Sequence, residues 1–445
     1  MQLPGRLIAS LERISGFGRE AFERLHSSGG QVTSVRINPA RQSEIPNLQS
    51  EIPWTEYGYY LSERPSFTFD PLFHAGCYYV QEASSMFLEQ ALKQTADLSK
   101  PLKVLDLCAA PGGKSTHIQS LISGESLLVS NEVIRSRAAI LKDNIIKWGC
   151  ENVVVTNNDP ADFAELENYF DIIVADAPCS GSGLFRRDPE SIKEWTENNV
   201  QLCSQRQQRI LADVWPALKK GGILIYSTCS YSQEEDEDIV NWLQEEFAID
   251  YLPLAIDPAW GITDTGKGYR FWPDKVKGEG FFLACLQKKD GEETAFFKTK
   301  KKIEQASEKE MDILKNWMKP AGKSFIRYRQ TVYAWPDIHF NDFSYLLEKL
   351  KVIYSGVQVG ELMRDKLVPG HALAMSAVAA ESIPKTELGY HQAISYLQRR
   401  ELRISNAERG WQQVSYRGHP LGWINVLPGR INNYYPKELR ILKDK

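Results

Sequence analysis

Short apolar runs alternate with helix-like patterns through the first two thirds of the chain. KVLDLCAA (103–110), SLLVSNE (126–132), NVVVTNND (152–159), DIIVADAP (171–178) and GGILIYSTC (221–229) each hold a continuous aliphatic block rather than an in-out alternation. Such blocks fit strands covered on both faces, as in a parallel sheet packed under helices. Between the runs, Ile134, Ala138, Leu141, Ile145 and Trp148 recur at helical spacing, and Gly149 follows as a stop. Asp188-Pro189 reads as an N-cap with proline at the first helical position, and Ser232-x-x-Glu235 as a capping box after the last run. FFLACLQK (281–288) supplies a closing strand. This order predicts an α/β, doubly wound, Rossmann-like domain over 76–290.

The flanks follow other patterns. Residues 1–75 form a smaller unit whose most ordered-looking piece is VTSVRINPA (32–40), and Lys288 to Glu310 is charge-rich and poor in apolar residues, as a linker is. From there we expect the linker and a first C-terminal α+β module over 291–385, and a second module over 386–445. The second contains the Gly-, Pro- and aromatic-rich stretch 411–436, typical of a small β module.

Composition narrows the classes. Of 445 residues, 42% are apolar and 25% charged, which excludes disorder as the main state. Seven cysteines, no two closer than 24 positions, write neither a disulfide scaffold nor a CxxC zinc site and point to a reducing cytoplasm. Met1–Ser10 lacks a secretory pattern, and no apolar stretch nears the ~20 residues that span a bilayer. The net charge of -4 argues against a nucleic-acid partner, but it is an average: residues 399–445 carry ten basic against four acidic side chains. Trp411, Tyr416, Trp423, Tyr434 and Tyr435 interleave with those charges, either to stack bases or to fill the core of the module.

The first run ends in DLCAAPGGKS (106–115), a strand, a glycine turn and a helix start. Gly113-Lys114-Ser115 matches the end of a phosphate-binding loop, but position 108 is Cys where that loop needs Gly, and GxGxxG is also missing. What remains is a turn where Gly112 and Gly113 let backbone approach a ligand. Asp106, Glu132, Asp159 and Asp176 stand at the tips of four successive runs, where acids accept from ribose and adenine or simply cap the next helix. Together they describe a nucleoside-bearing cofactor without a phosphate grip, which S-adenosylmethionine fits. Cys179 and Cys229 follow the fourth and fifth runs and should reach the same crevice; the other cysteines read as core or, for Cys108, as part of the turn. The acidic run Glu234–Asp238 suits the start of a helix, and no metal site is expected.

HAGCYYVQEASSM (74–86), DLCAAPGGKS (106–115), NEVIRSR (131–137), DAPCSGSG (176–183), RRDPE (186–190) and YSTCSYSQEEDE (226–237) resemble the NOL1/NOP2/Sun family of RNA (cytosine-5)-methyltransferases. The likeness covers essentially the whole chain, and PLGWINVLPGRINNYYPKELR (420–440) resembles the PUA-like module of bacterial members acting on small-subunit (16S) ribosomal RNA. It implies a class I methyltransferase core using S-adenosylmethionine. It also implies Cys229 as the nucleophile that adds to carbon 6 of cytosine, Cys179 as the thiol aiding release, and Asp176 beside ring nitrogen 3. The residues alone do not rank the two thiols. By the same resemblance Cys108, Ala109, Ala110, Pro111, Gly112, Gly113 and Lys114 form the cofactor turn, Glu132 meets the ribose, Asp159 the adenine and Asp176 the methionine part. Arg137, Arg186, Arg187, Arg417 and Arg430 are expected on RNA phosphates, with a solvated arginine as the bland alternative. The other functions open at this point are a tRNA cytosine methyltransferase and a non-catalytic RNA-binding assembly factor. The base that takes the carbon 5 proton stays unassigned, and no signal fixes an oligomeric state.

Overall fold

The structure is a computed structural model and describes residues 3–291, 299, 302–404 and 407–443. The first two positions of Met1–Ser10, part of the Lys288–Glu310 linker and the last two residues of the basic tail lie outside them.

Two helices, Gly5–Leu11 and Arg19–Ser28, precede a sheet of β1 (Ser34–Ile37), β2 (Leu48–Glu51), β3 (Gly58–Leu61) and β4 (Tyr78–Val80), ordered β2-β3-β1-β4. The core sheet is built on β5 (Lys103–Asp106), β6 (Leu127–Asn131), β7 (Val153–Thr156), β8 (Phe170–Asp176) and β9 (Leu218–Thr228). These five are parallel and ordered β7-β6-β5-β8-β9. β10 (Ile249–Tyr251), β11 (Thr263–Asp264), β12 (Tyr269–Phe271) and β13 (Phe281–Lys288) extend it antiparallel beyond β9.

The unalternating runs have a direct cause. Neighbouring residues in each strand enter opposite cores: Val104, Leu128, Val153, Ile172 and Ile225 pack on one face, and Leu105, Val129, Val154, Ile173 and Leu224 on the other. Each such side chain contributes about 1.5–3 kcal/mol by leaving water. The helix Arg135–Trp148 buries Ala138, Leu141, Ile145 and Trp148 and ends at Gly149, whose φ of 92° is left-handed. Ile134 departs from the expected stripe. Its backbone is extended ahead of the helix, and its side chain stays 49% exposed. The proline-led turn Pro189–Glu194 is 3-10, and the Asp188 side chain forms no cap, because that residue is exposed while its N–H is tied back to the Leu184 carbonyl.

Past the linker, β14 (Lys323–Tyr328), β15 (Thr331–Pro336), β17 (Val357–Met363) and β18 (Lys366–Pro369) make a third sheet. Between them β16 (Val352–Ser355) crosses over to pair antiparallel with β7, so this segment extends the core sheet as well. A fourth sheet holds β19 (Lys385–Glu387), β20 (Gly410–Tyr416), β21 (His419–Leu427) and β22 (Arg430–Asn433). The chain's two ends share one core: Val35, Leu72 and Tyr78 pack in the same cluster as Leu388, Ile394, Tyr396 and Ile424. The Arg41 guanidinium donates to the carbonyls of Ala75, Lys147 and Met375, joining the first sheet, the core and the C-terminal part.

Candidate active site

From β5 the chain winds outward through β6 and β7, then returns past β5 to β8 and β9. The winding reverses between β5 and β8, and open α/β sheets bind ligands beyond the strands' carboxyl ends at that reversal. Asp106 ends β5 there, and Asp176 ends β8.

The turn after β5 is held by backbone and side chains together, the Ala109 N–H donating to the Asn131 carbonyl at 2.8 Å. The carbonyls of Leu107, Ala110 and Pro111 accept from Asn131 Nδ2 (3.1 Å), Arg137 Nη2 (2.9 Å) and Asn144 Nδ2 (2.8 Å). Gly112 has φ 113°, a conformation that disfavours a side chain, and opens the helix Gly113–Leu121. Buried Arg36 reaches in from β1, donating to Gln81 Oε1, Thr116 Oγ1 and the Gly113 carbonyl, and burial lowers its pKa to about 9. Ala109 and Ala110 are buried, Pro111 is exposed, and burial pushes the Cys108 thiol far up.

Asp106 is fully buried. Its Oδ2 accepts from Ser115 Oγ at 2.6 Å and its Oδ1 has no hydrogen-bond partner among the described residues. Burial raises its pKa to about 7, against the pull of Ser115 and Lys114. An unpaired buried carboxylate oxygen at this reversal suits a ligand that brings a cation, as the methionine ammonium of S-adenosylmethionine does. Glu132 is buried; it accepts from Ile134 N at 2.9 Å and faces Arg137 at 3.4 Å. Asp159 caps the turn Pro160–Glu165 in a box with Asp162 and lies 3.6 Å from Arg209. Asp159 therefore caps the element that follows, whereas Glu132 bonds to Ile134 N–H just ahead of its helix, which has no side-chain cap.

The register aligns Asp176 with Ser227, so the loops after β8 and β9 leave the sheet side by side. They bring the Cys179 and Cys229 sulfurs to 3.1 Å, both as free thiols. Cys179 is held well above the usual thiol range by its hydrogen bond to Cys229, then by burial and by charge at Cys229 and Glu235. Asp176 Oδ1 accepts from Ser227 Oγ at 2.9 Å, and Oδ2 lies 2.8 Å from Lys114 Nζ. Burial pulls the Lys114 pKa down, but Asp176's charge and hydrogen bond, with the charges at Asp106 and Cys229, outweigh it and raise it.

The acidic run departs from the expected capping box. Ser232 makes no side-chain cap, and the Glu235 carboxylate turns inward to Ser180 and Ser230. Asp236 accepts from Thr228 Oγ1 at 2.5 Å and pairs with Arg270 at 3.1 Å, while Glu237 takes the other edge of that guanidinium. Glu235 and Asp236 thus face buried donors, while Glu237 and Asp238 occupy the first turn of the helix Glu237–Glu246, as expected of acids at a helix start.

Comparison with known proteins agrees with this geometry. A family model described as 16S rRNA methyltransferase RsmB/F matches residues 93–287. The N-terminal domain of 16S rRNA methyltransferase RsmF matches 3–83, and the methyltransferase RsmF PUA domain matches 383–441. Ribosomal RNA small subunit methyltransferase F of Shewanella piezotolerans is 31% identical over 94% of this chain and 93% of its own length. The chain belongs to the 16S rRNA methyltransferase RsmB/F family. The Psychromonas ingrahamii protein of the same name is 32% identical, over 91% of this chain and 88% of its own. Among solved structures, a methyltransferase homolog protein from Pyrococcus horikoshii has TM-score 0.52 and 27% identity, over 64% of this chain and all of its own. NSun6 from the same organism, determined with SFG, has TM-score 0.55 at 20% identity, over 65% and 99%, a likeness of fold. As an RsmB/F family member the chain is a methyltransferase, and S-adenosylmethionine is its cofactor.

The arginines expected on RNA take different places in this RsmB/F family member. Arg186 is buried against Glu279 in a two-pronged pair, 3.1 Å on each edge, and so faces no phosphate. Arg137 braces the turn after β5, between Ala110 and Glu132. Arg187, Arg417 and Arg430 are exposed, and the Arg417 guanidinium lies 5.6 Å from the Tyr416 ring. Trp423 and Tyr435 are core residues, whereas the Trp411 and Tyr434 rings stand 4.3 Å apart with Tyr434 exposed. Sequence reasoning missed Asn131, Asn144, Ser227, Arg36 and Glu235 as parts of the site. For Asn131 a signal existed, a polar residue closing an aliphatic run; for the rest, only the fold reveals the contact.

Proposed function

We propose that this chain methylates carbon 5 of cytosine in small-subunit (16S) ribosomal RNA through a covalent adduct on Cys229, working in the cytoplasm. The observation that carries the reading is the pair of sulfurs 3.1 Å apart at the ends of adjacent strands, beside the Asp176–Lys114 pair at the sheet's reversal point.

Carbon 5 of cytosine is a poor nucleophile until a thiolate adds to carbon 6 and turns the ring into an enamine. Cys229 forms that C–S bond. Asp176 keeps free acceptor positions beyond Ser227 and Lys114, and it takes the hydrogen bond of the exocyclic amine beside nitrogen 3. S-adenosylmethionine, held by the turn 108–114 with Asp106, Glu132 and Asp159, supplies an electrophilic sulfonium methyl. Once carbon 5 has lost its proton, the Cys229 sulfur leaves as a thiolate. Cys179 holds its own proton tightly and donates to that sulfur, which assists departure. The ring must be unpaired or flipped for carbon 6 to be reached from its face. Exposed Arg187, Arg417 and Arg430 are the arginines that contact RNA.

Bisulfite mapping of ribosomal and transfer RNA from cells lacking the protein tests this reading. The expected result is loss of 5-methylcytosine from 16S RNA, restored by the wild-type chain and not by Cys229→Ala. Loss confined to transfer RNA, or rescue by Cys229→Ala, would contradict it.

A further inference from the structure

We propose that Glu235 is a positioning residue: it clasps the two cysteine loops together and so sets how both thiols meet one pyrimidine. The inference rests on the two-thiol reading above. Ser180 directly follows Cys179, and Ser230 directly follows Cys229. Glu235 Oε1 accepts from the Ser180 N–H at 2.6 Å, and Oε2 accepts from both the Ser180 and the Ser230 hydroxyls, each at 2.6 Å. One carboxylate thus holds the residue after each thiol, and it is fully shielded from solvent.

The clasp is itself supported. Tyr226 OH donates to the Glu235 carbonyl at 2.5 Å and lies 3.0 Å from Gln207 Oε1, and Gln207 Nε2 donates to the carbonyl of Pro178, just before Cys179. On the other side the Gly183 N–H donates to the Cys229 carbonyl at 2.9 Å. A Cβ on Gly183 would stand 2.7 Å from that same oxygen, so the approach needs glycine there. Stability does not explain the carboxylate. Burial works against its charge and pushes its proton affinity up, and apolar side chains often fill such space at no loss. What it adds is a simultaneous grip on two loops that no single apolar contact provides.

The geometry predicts separable effects. Losing the Ser230 hydroxyl loosens the nucleophile's loop and slows adduct formation. Losing the Ser180 hydroxyl loosens the Cys179 loop and slows release. A displacement of ~1 Å in a reacting group can cost on the order of 100-fold in rate.

The test uses the full chain, 16S RNA from cells lacking the protein and radiolabelled S-adenosylmethionine. Single-turnover methyl transfer, denaturation-resistant protein–RNA adduct and cofactor Kd are measured for Ser180→Ala, Ser230→Ala and Glu235→Gln, with Cys179→Ala as the adduct reference. Ser180→Ala should accumulate adduct several-fold over wild type, and Ser230→Ala should form it several-fold more slowly. Glu235→Gln should lower the single-turnover rate about 10- to 100-fold with cofactor Kd within twofold of wild type. The two serine variants acting alike, neither differing from wild type, or Glu235→Gln losing cofactor affinity in step with rate would each overturn the clasp. Should Glu235→Gln fail to fold, the serine variants decide alone, since each leaves the carboxylate with two donors. Failure of Cys179→Ala to trap adduct sinks the two-thiol reading and the clasp with it; trapping by Cys179→Ala without separation of the serine variants sinks the clasp alone.

Discussion

Asp106→Asn should stabilise the cofactor-free protein while weakening its grip on S-adenosylmethionine. The Asp106 carboxyl is fully buried with one oxygen unpartnered among the described residues, and its pKa rises from 3.8 to about 7. That rise amounts to roughly 4 kcal/mol of cost for holding the ionised form in the fold, at about 1.36 kcal/mol per tenfold change. The elevated pKa fixes the sign. Folding with Asp106 neutral is fully favoured below the unfolded value of 3.8, and that contribution is lost as the pH climbs through about 7. The Asn variant keeps a neutral group throughout, so its gain grows with pH toward a ceiling of roughly 4 kcal/mol near pH 8. The cofactor's cation needs the carboxylate, so wild-type binding must drive a proton off Asp106 below its pKa. Kd should then weaken roughly eightfold between pH 7.5 and 6, by linkage to a group titrating near 7. Titration calorimetry in two buffers of different ionisation heat reads Kd and proton release together, and urea unfolding reads stability. A wild-type Kd unchanged between the two pH values, or undiminished binding by Asp106→Asn, would refute the assignment of this carboxylate to the cofactor.

Arg186→Met should lower stability by about 3–5 kcal/mol, by stranding buried Glu279, and leave RNA affinity of the folded fraction intact; denaturant melts and filter binding check both halves. Arg417→Ala and Arg430→Ala should each weaken RNA binding across sequences and cut the slope of log K against log salt by about 0.7, the value for one single-stranded phosphate contact. An unchanged slope would remove that arginine from the RNA surface. Gly112→Ala forces a Cβ onto a φ of 113° and to 3.3 Å from Leu141, so it should cost about 1–2 kcal/mol in a thermal melt and weaken cofactor binding measurably.

The core strands were legible because their cause is local: a strand buried on both faces shows a run, and β5 to β9 all fall on such runs. The turn at 106–115 was legible for a similar reason, since two glycines between a strand and a helix state their own geometry. Contacts between elements distant in sequence were not. Arg186 beside Arg187 looks like a basic pair, and only the approach of Glu279, 93 positions on, shows that one is buried. Glu235 matched a capping box by spacing, yet two buried serine hydroxyls offered it better donors than its own helix start. β16 leaves its neighbours to pair with β7, a long-range choice set by the exposed edge of the core sheet. Ile134 fell on the helical period one residue before the helix began.

Trapping the protein on its own substrate tests the shared pocket of Cys179 and Cys229 most directly. Cys179→Ala, incubated with 16S RNA and S-adenosylmethionine and then denatured, should leave RNA covalently attached to the chain. Peptide mass spectrometry should place the attachment on Cys229, and the further change Cys229→Ala should abolish it. RNA recovered wholly free from Cys179→Ala, or attached anywhere other than Cys229, would contradict the account.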